Sequence, residues 1–205
     1  MYKKTNGLSQ RGKTLYLVQI SMLSAIIILM TIVPFLGYIP LGIMTATIIH
    51  IPVIIGAIVL GPLAGAILGS VFGVSCLINA FIKPPSPLDA LLFQDPLVSV
   101  LPRILIGIIA ALVFRWIYKK IKNQTIAALG AAILGSLTNT IFVLGAVYIF
   151  HKDIGAQYFT VDISGLFKTL LFVIGTNGVI EAIVAAIITT AIAKALFAAN
   201  KSLLK

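Results

Sequence analysis

Asp95-Pro-Leu-Val-Ser-Val-Leu-Pro-Arg-Ile-Leu-Ile-Gly-Ile-Ile-Ala-Ala-Leu-Val-Phe-Arg-Trp-Ile-Tyr-Lys-Lys120 decides the fold class. The apolar run is long enough to supply the ~20 helical residues that cross a bilayer. It ends in Arg115, Lys119 and Lys120, and such a basic cluster marks the cytoplasmic end of a span. Near the other end stands Arg103, roughly 9 Å into the hydrocarbon at about 1.5 Å of rise per residue. A charge at mid-bilayer costs about 2.5–3.5 kcal/mol on insertion scales, and less off-centre. Lipid gives no reason to keep it, so Arg103 reads as functional, with snorkelling to the headgroups as the plain rival.

The whole chain agrees with that stretch. Its 205 residues are 60% hydrophobic and only 10% charged, with a mean hydropathy of +1.15. A soluble domain carries about 25% charged residues, so this is an integral membrane protein. The formal net charge of +10 would suggest nucleic acid in a soluble protein. Here the positive residues collect at span ends, where they set topology, and no nucleic-acid partner is expected. The single cysteine, Cys76, lies in an apolar run and reads as an inert buried thiol. The first apolar segment is too long for a signal-peptide core and no small-residue cleavage site follows it, so it reads as a retained first span.

Six spans are expected in one all-α bundle. A basic lead covers residues 1–14, the six-helix membrane domain 15–198, and a tail 199–205. Span one runs from about Leu15 to Phe35, and Pro34, Gly37 and Pro40 break the chain after it. Span two runs from about Leu41 to Leu60, with His50 near its middle and Pro52 expected to kink it. Span three carries Gly61, Gly65, Gly69 and Gly73 at every fourth residue, a stripe that permits close backbone contact, and ends at Asn79. Residues 83–96 hold closely spaced prolines together with Leu91, Leu92 and Phe93, and read as a lid or re-entrant loop. Span four is the opening stretch and span five covers about Thr125–Phe150. Span six covers about Leu166–Phe197, longer than a crossing needs, so it tilts, extends into the cytoplasm or breaks near Gly175-Thr-Asn-Gly178. With both termini cytoplasmic, eleven of the fifteen positive residues lie inside, and Asp89, Asp95, Asp153 and Asp162 lie outside.

The chain has no phosphate-cradling loop ending in Gly-Lys-Ser/Thr, so it does not hydrolyse ATP itself. Two distant histidines and one cysteine make neither a metal site nor a haem site, and no cofactor is expected. An intramembrane enzyme would need Ser136 or Ser70 beside a histidine base, and neither serine sits in a Gly-x-Ser-x-Gly frame. What remains is a set of polar residues at similar depth on different spans: Arg103, Asn139, Asn177 and His50, with Asn79 at the end of span three. Polar groups at membrane depth need partners, so these face one another or a wet cavity. One cation with several amides suits a small anion or carboxylate. Glu181, the one acid within a span, is left between a structural partner and a site residue.

The runs His50-Ile-Pro-Val-Ile-Ile-Gly-Ala-Ile-Val-Leu-Gly-Pro-Leu-Ala-Gly65, Pro102-Arg-Ile-Leu-Ile-Gly107 and Gly135-Ser-Leu-Thr-Asn-Thr140 resemble the substrate-binding membrane subunits (S components) of energy-coupling factor, or ECF, vitamin transporters. Within that family the likeness is greatest to the pantothenate type, and it covers essentially the whole chain. The resemblance implies a multi-pass protein of the bacterial plasma membrane, not an enzyme. It implies a subunit that binds one vitamin from outside and topples to carry it inward. It also implies docking on a scaffold membrane subunit (T component) driven by two cytoplasmic ATPases. Family members dock through small residues four apart on the first helix; here these are Ser21 and Ala25, the first departing in type but not in size. Assigning Arg103 to a carboxylate and Asn139 and Asn177 to a polar body follows from depth and chemistry alone. Riboflavin, a pyridoxine-like compound and a corrinoid are the alternative vitamins, with riboflavin disfavoured because the only tryptophan, Trp116, lies at the inner end.

Overall fold

The computed structural model describes residues 10–41, 44–84 and 87–199. Most of the basic lead and nearly all of the tail (residues 1–9 and 200–205) lie outside the described residues. The elements are helix α1 (Gln10–Ile32), a helical turn α2 (Pro34–Gly37), strands β1 (Tyr38–Leu41) and β2 (Met44–Thr47), α3 (His50–Leu60), α4 (Pro62–Ile82), α5 (Pro87–Phe93), α6 (Pro96–Ser99), α7 (Leu101–Ile121), α8 (Gln124–Phe150), α9 (Lys152–Phe159), α10 (Ile163–Val173) and α11 (Val179–Ala199). A π-helical turn, Ile174–Gly178, joins the last two. The protein is an all-α membrane protein apart, among the described residues, from one antiparallel hairpin, in which Tyr38 pairs with Thr47 and Ile39 with Ala46.

Among the described residues, five helices are long and apolar enough to cross a membrane: Gln10–Ile32, Pro62–Ile82, Pro96–Ile121, Gln124–Phe150 and Ile163–Ala199. The expected second span differs. Its first half is the hairpin, and only His50–Leu60 is helical, 11 residues or about 16 Å. Every residue of α3 except Val59 is buried. A helix that is apolar all round belongs in the interior of a bundle. Pro52 sits in the first turn of α3, where backbone N–H groups have no partner within the helix, so it starts this helix rather than kinking it.

The joints follow from local chemistry. Gly61 has φ 100° between α3 and α4, a conformation that glycine reaches without a Cβ penalty, and Pro62 starts the next helix. Lys122 adopts a left-handed conformation after α7. Asn123 then caps α8, accepting N–H bonds from Thr125 and Ile126 at 2.9 and 3.1 Å. These tight turns lie at the end of the bundle that carries Arg115, Lys119, Lys120 and Lys122. The hairpin, α5, α6 and α9 gather at the other end.

The glycine stripe of α4 packs against α7 backbone to backbone. A Cβ at Gly65 would stand 2.6 Å from the carbonyl oxygen of Gly107, and one at Gly73 2.6 Å from Cα of Val100. A Cβ at Gly69 would strike the main chain of Arg103, 2.8 Å from its carbonyl carbon. The stripe therefore presses α4 onto the turn of α7 from which Arg103 projects. Ile54, Leu68, Phe72, Ile106 and Ala110 fill the core beside it. By contrast α1 is mostly exposed along its length, with Leu17, Met22 and Leu29 facing outward.

Candidate functional site

A cavity of about 180 Å³ lies at the loop-rich end of the bundle. Phe72, Cys76 and Asn79 of α4, Arg103 of α7, Asn139 and Thr140 of α8, and Asn177 and Glu181 of the last long helix form its walls. Tyr38 and Thr47 of the hairpin, Leu92 and Phe93 of α5, and Tyr158 and Phe159 of α9 add to the lining. The proline-rich segment thus holds the short helix α5, which reaches the cavity through Leu92 and Phe93, and α6 begins at its last residue.

Arg103 is 5% exposed. Contacts with Val98, Phe93 and Phe72 help to set its position. Nη1 donates to the carbonyl of Val98 at 2.5 Å. The guanidinium lies 4.9 Å from the ring centre of Phe93 and 5.4 Å from that of Phe72, within the range where a cation is drawn to an aromatic face. The side chain does not snorkel; it is held inward. Phe93 belongs to the short helix α5, so this cation–π contact also ties that helix to the wall.

Glu181 is the residue whose role the sequence left open. It is 7% exposed and lines the same cavity. Its Oε1 accepts the backbone N–H of Thr47 at 2.7 Å, and its Oε2 accepts the hydroxyl of Thr140 at 3.1 Å. One carboxylate thus joins the hairpin, α8 and α11. The π turn explains how it gets there. Instead of breaking at Gly175 and Gly178, the last helix continues for 37 residues from Ile163 to Ala199. Wide turns of this kind are frequent at functional sites. Asn177 lies inside the turn and Glu181 four residues later, so both face the cavity. Gly178 lets α8 approach: a Cβ there would sit 3.2 Å from Cγ2 of Thr140.

Of the residues singled out by sequence, Arg103, Asn79, Asn139 and Asn177 line one cavity. The amide nitrogen of Asn79 is 3.5 Å from the Thr31 carbonyl, a long contact. Asn139 is 7% exposed and its Oδ1 has no hydrogen-bond partner among the described residues. His50 lies elsewhere: it is fully buried at the first residue of α3 and is not part of the lining. The hairpin accounts for this, since it takes the place of the expected outer half of span two and moves His50 from mid-helix to a helix start. Ser21 and Ala25 lie on the exposed face of α1. Ser136 is completely buried, and Ser70 donates to the Ala66 carbonyl at 2.8 Å. Among the described residues neither serine is hydrogen-bonded to a histidine, so no nucleophile–base pair is formed.

Sequence reasoning missed the aromatic lining. Tyr38, Phe72, Phe93, Tyr158 and Phe159 all reach the cavity, so the argument against a flat aromatic ligand from the position of Trp116 fails. Trp116 does sit at the basic end, 61% exposed, with the Lys120 ammonium 4.4 Å from its ring centre. At the opposite end His151 Nε2 lies 2.8 Å from Oδ2 of Asp95. Asp95 also accepts the Leu97 N–H at 2.8 Å. That bond is the main cause that holds the Asp95 carboxyl below its usual range; burial opposes it, and the His151 contact adds to the lowering.

A long hydrophobic bundle with a cavity that carries several polar side chains near one end suits a solute-binding membrane protein, and comparison with known sequences names the kind. Residues 15–193 match the family described as ECF transporter, substrate-specific component. The chain belongs to that family. It is a transport protein of the bacterial plasma membrane, crossing it several times. Pantothenate transporter PanT of Leuconostoc mesenteroides is 35% identical over 195 residues, 90% of this chain and 93% of that protein. Pantothenic acid transporter PanT of Lactococcus lactis is 34% identical over 168 residues, 76% of this chain and 80% of that one.

Proposed function

We propose that this substrate-specific component captures pantothenate from outside the cell and delivers it inward. The observation that carries the reading is a buried guanidinium, Arg103, in the wall of a small cavity that three amide side chains also line. Pantothenate is a monocarboxylate with hydroxyls and an amide. Arg103 takes its carboxylate, and Asn79, Asn139 and Asn177 bond its polar body. His50, outside the lining, is not assigned a contact with the ligand. The relatives whose names specify pantothenate support the choice of vitamin. The cavity volume of about 180 Å³ suits a small metabolite better than a corrinoid. Riboflavin remains the second reading because of the aromatic lining.

In this reading the chain crosses the membrane six times, the hairpin and α3 together making the second crossing. Both termini are cytoplasmic, which puts Arg115, Lys119, Lys120 and Lys122 inside as the positive-inside rule requires. The exposed face of α1 around Ser21 and Ala25 docks on a scaffold membrane subunit, and two partner ATPases supply the energy. Small residues four apart let a second helix approach closely.

Titration calorimetry of the purified protein with pantothenate, riboflavin, pyridoxine and a corrinoid tests the substrate. Pantothenate is expected to bind. Arg103→Ala is expected to cost about 2–5 kcal/mol of that binding, the usual effect of truncating one partner of a buried charge pair. Heat from another vitamin and none from pantothenate would overturn the substrate assignment. Unchanged affinity in Arg103→Ala would remove the guanidinium from the site.

A further inference from the structure

The polar side chains of the cavity wall differ in chemistry. Arg103 offers donors only, because a guanidinium has no acceptor. On other helices of the same lining, Glu181 and Asn139 offer acceptors. The Glu181 oxygens together carry about four lone-pair positions, and among the described residues two of these are used, by the Thr47 N–H and the Thr140 hydroxyl. Those two bonds fix the carboxylate in place. Beside Thr140 stands Asn139, more than nine-tenths buried, lining the cavity with an unpartnered Oδ1. A buried acceptor left without a donor costs free energy.

We infer that Glu181, with Asn139 beside it, is the specificity-determining element of this site, accepting hydrogen bonds from hydroxyl groups of the ligand and holding its carboxylate end toward Arg103. The inference rests on the pantothenate reading and adds an orientation to it. A carboxylate placed against Glu181 meets a like charge, whereas hydroxyls placed there meet two acceptors. The ligand therefore enters one way round, and a compound with acids at both ends is rejected. Glu181 also closes the hairpin through Thr47, so the group that reads the hydroxyls is anchored to part of the cavity lining.

The test pairs two ligands with two proteins. The ligands are pantothenate and its analogue with both hydroxyls replaced by hydrogen; the proteins are the full chain and Glu181→Gln. The unaltered protein is expected to prefer pantothenate by about tenfold or more, the worth of hydrogen bonds to a charged group. In Glu181→Gln that preference is expected to shrink several-fold, with the analogue's affinity nearly unchanged. If Glu181 only ties the hairpin to α8 and α11, both ligands weaken alike and the inference is overturned. It is equally overturned if the unaltered protein binds the two ligands equally. Should Glu181→Gln fail to fold, Asn139→Ala replaces it, with the same loss of preference expected and an unaltered preference counting against the inference. No binding of pantothenate to the unaltered protein would sink the substrate reading, and this inference with it.

Discussion

Replacing Gly69 by alanine should damage ligand binding from a position that touches no ligand. A methyl group there meets the main chain of α7 at Arg103, with the carbonyl carbon 2.8 Å away and Cα of Ile104 2.9 Å away. Ordinary contact begins near 3.4 Å, and both obstacles are backbone, so α4 and α7 must separate by several tenths of an ångström to about 1 Å. Overpacking of this kind costs about 1–3 kcal/mol. The helical preference of alanine over glycine returns up to about 1 kcal/mol, leaving a net loss of roughly 0–2 kcal/mol. The displacement falls on the residue that carries the guanidinium. Gly145→Ala is the matched control: it is also in a long helix, but its added methyl has nothing within 4 Å, so it should be neutral or stabilising by up to about 1 kcal/mol. Thermal unfolding in detergent and calorimetric affinity for pantothenate are the assays. Gly69→Ala should unfold several degrees below Gly145→Ala, given about 2–4 °C per kcal/mol for a chain of this size, and should bind at least several-fold more weakly. Two variants alike in both measurements would refute the idea that the glycine stripe positions Arg103.

The pair Asp95–His151 joins the start of α6 to the start of α9 at the loop-rich end. Asp95→Asn keeps the oxygen that caps α6 and removes the charge, and should raise the ligand off-rate by no more than about fivefold, since partly exposed ion pairs contribute about 0–1 kcal/mol. Because the folded-state carboxyl lies below its ordinary value, its stabilisation is present above the unfolded value of about 3.9 and is lost as pH falls through the folded value. Stopped-flow release that accelerates between pH 7 and 5 would contradict this. On α1, Ala25→Trp should leave vitamin binding by the isolated subunit intact while abolishing co-purification with the scaffold subunit; loss of both would move Ala25 from a docking face to the fold itself.

Composition and periodicity were enough to establish a membrane bundle, because lipid forces every backbone group into a helix or a closed pairing and so writes spans as long apolar runs. They also marked Arg103 and the polar positions of α4, α8 and α11, since a polar side chain inside such a run stands out. The hairpin was hidden for the same reason. Tyr38–Thr47 is apolar enough to continue a span, and its alternating threonines and aromatic residue were overwritten by the run that follows. The Gly175–Gly178 segment showed a weak helix but not its outcome, since whether two glycines end a helix or widen it depends on what packs alongside. The glycine stripe announced a close contact but not its partner.

Sequence by itself therefore determined the solvent this protein lives in, most of its helices and the residue types that lipid would not tolerate idle. Tertiary structure decided which of them meet. Glu181 bonds a residue 134 positions away, Arg103 stacks on phenylalanines of two other helices, and His50 drops out of the lining. These outcomes depend on helix separation and rotation, which long-range packing sets and no local stretch of sequence encodes.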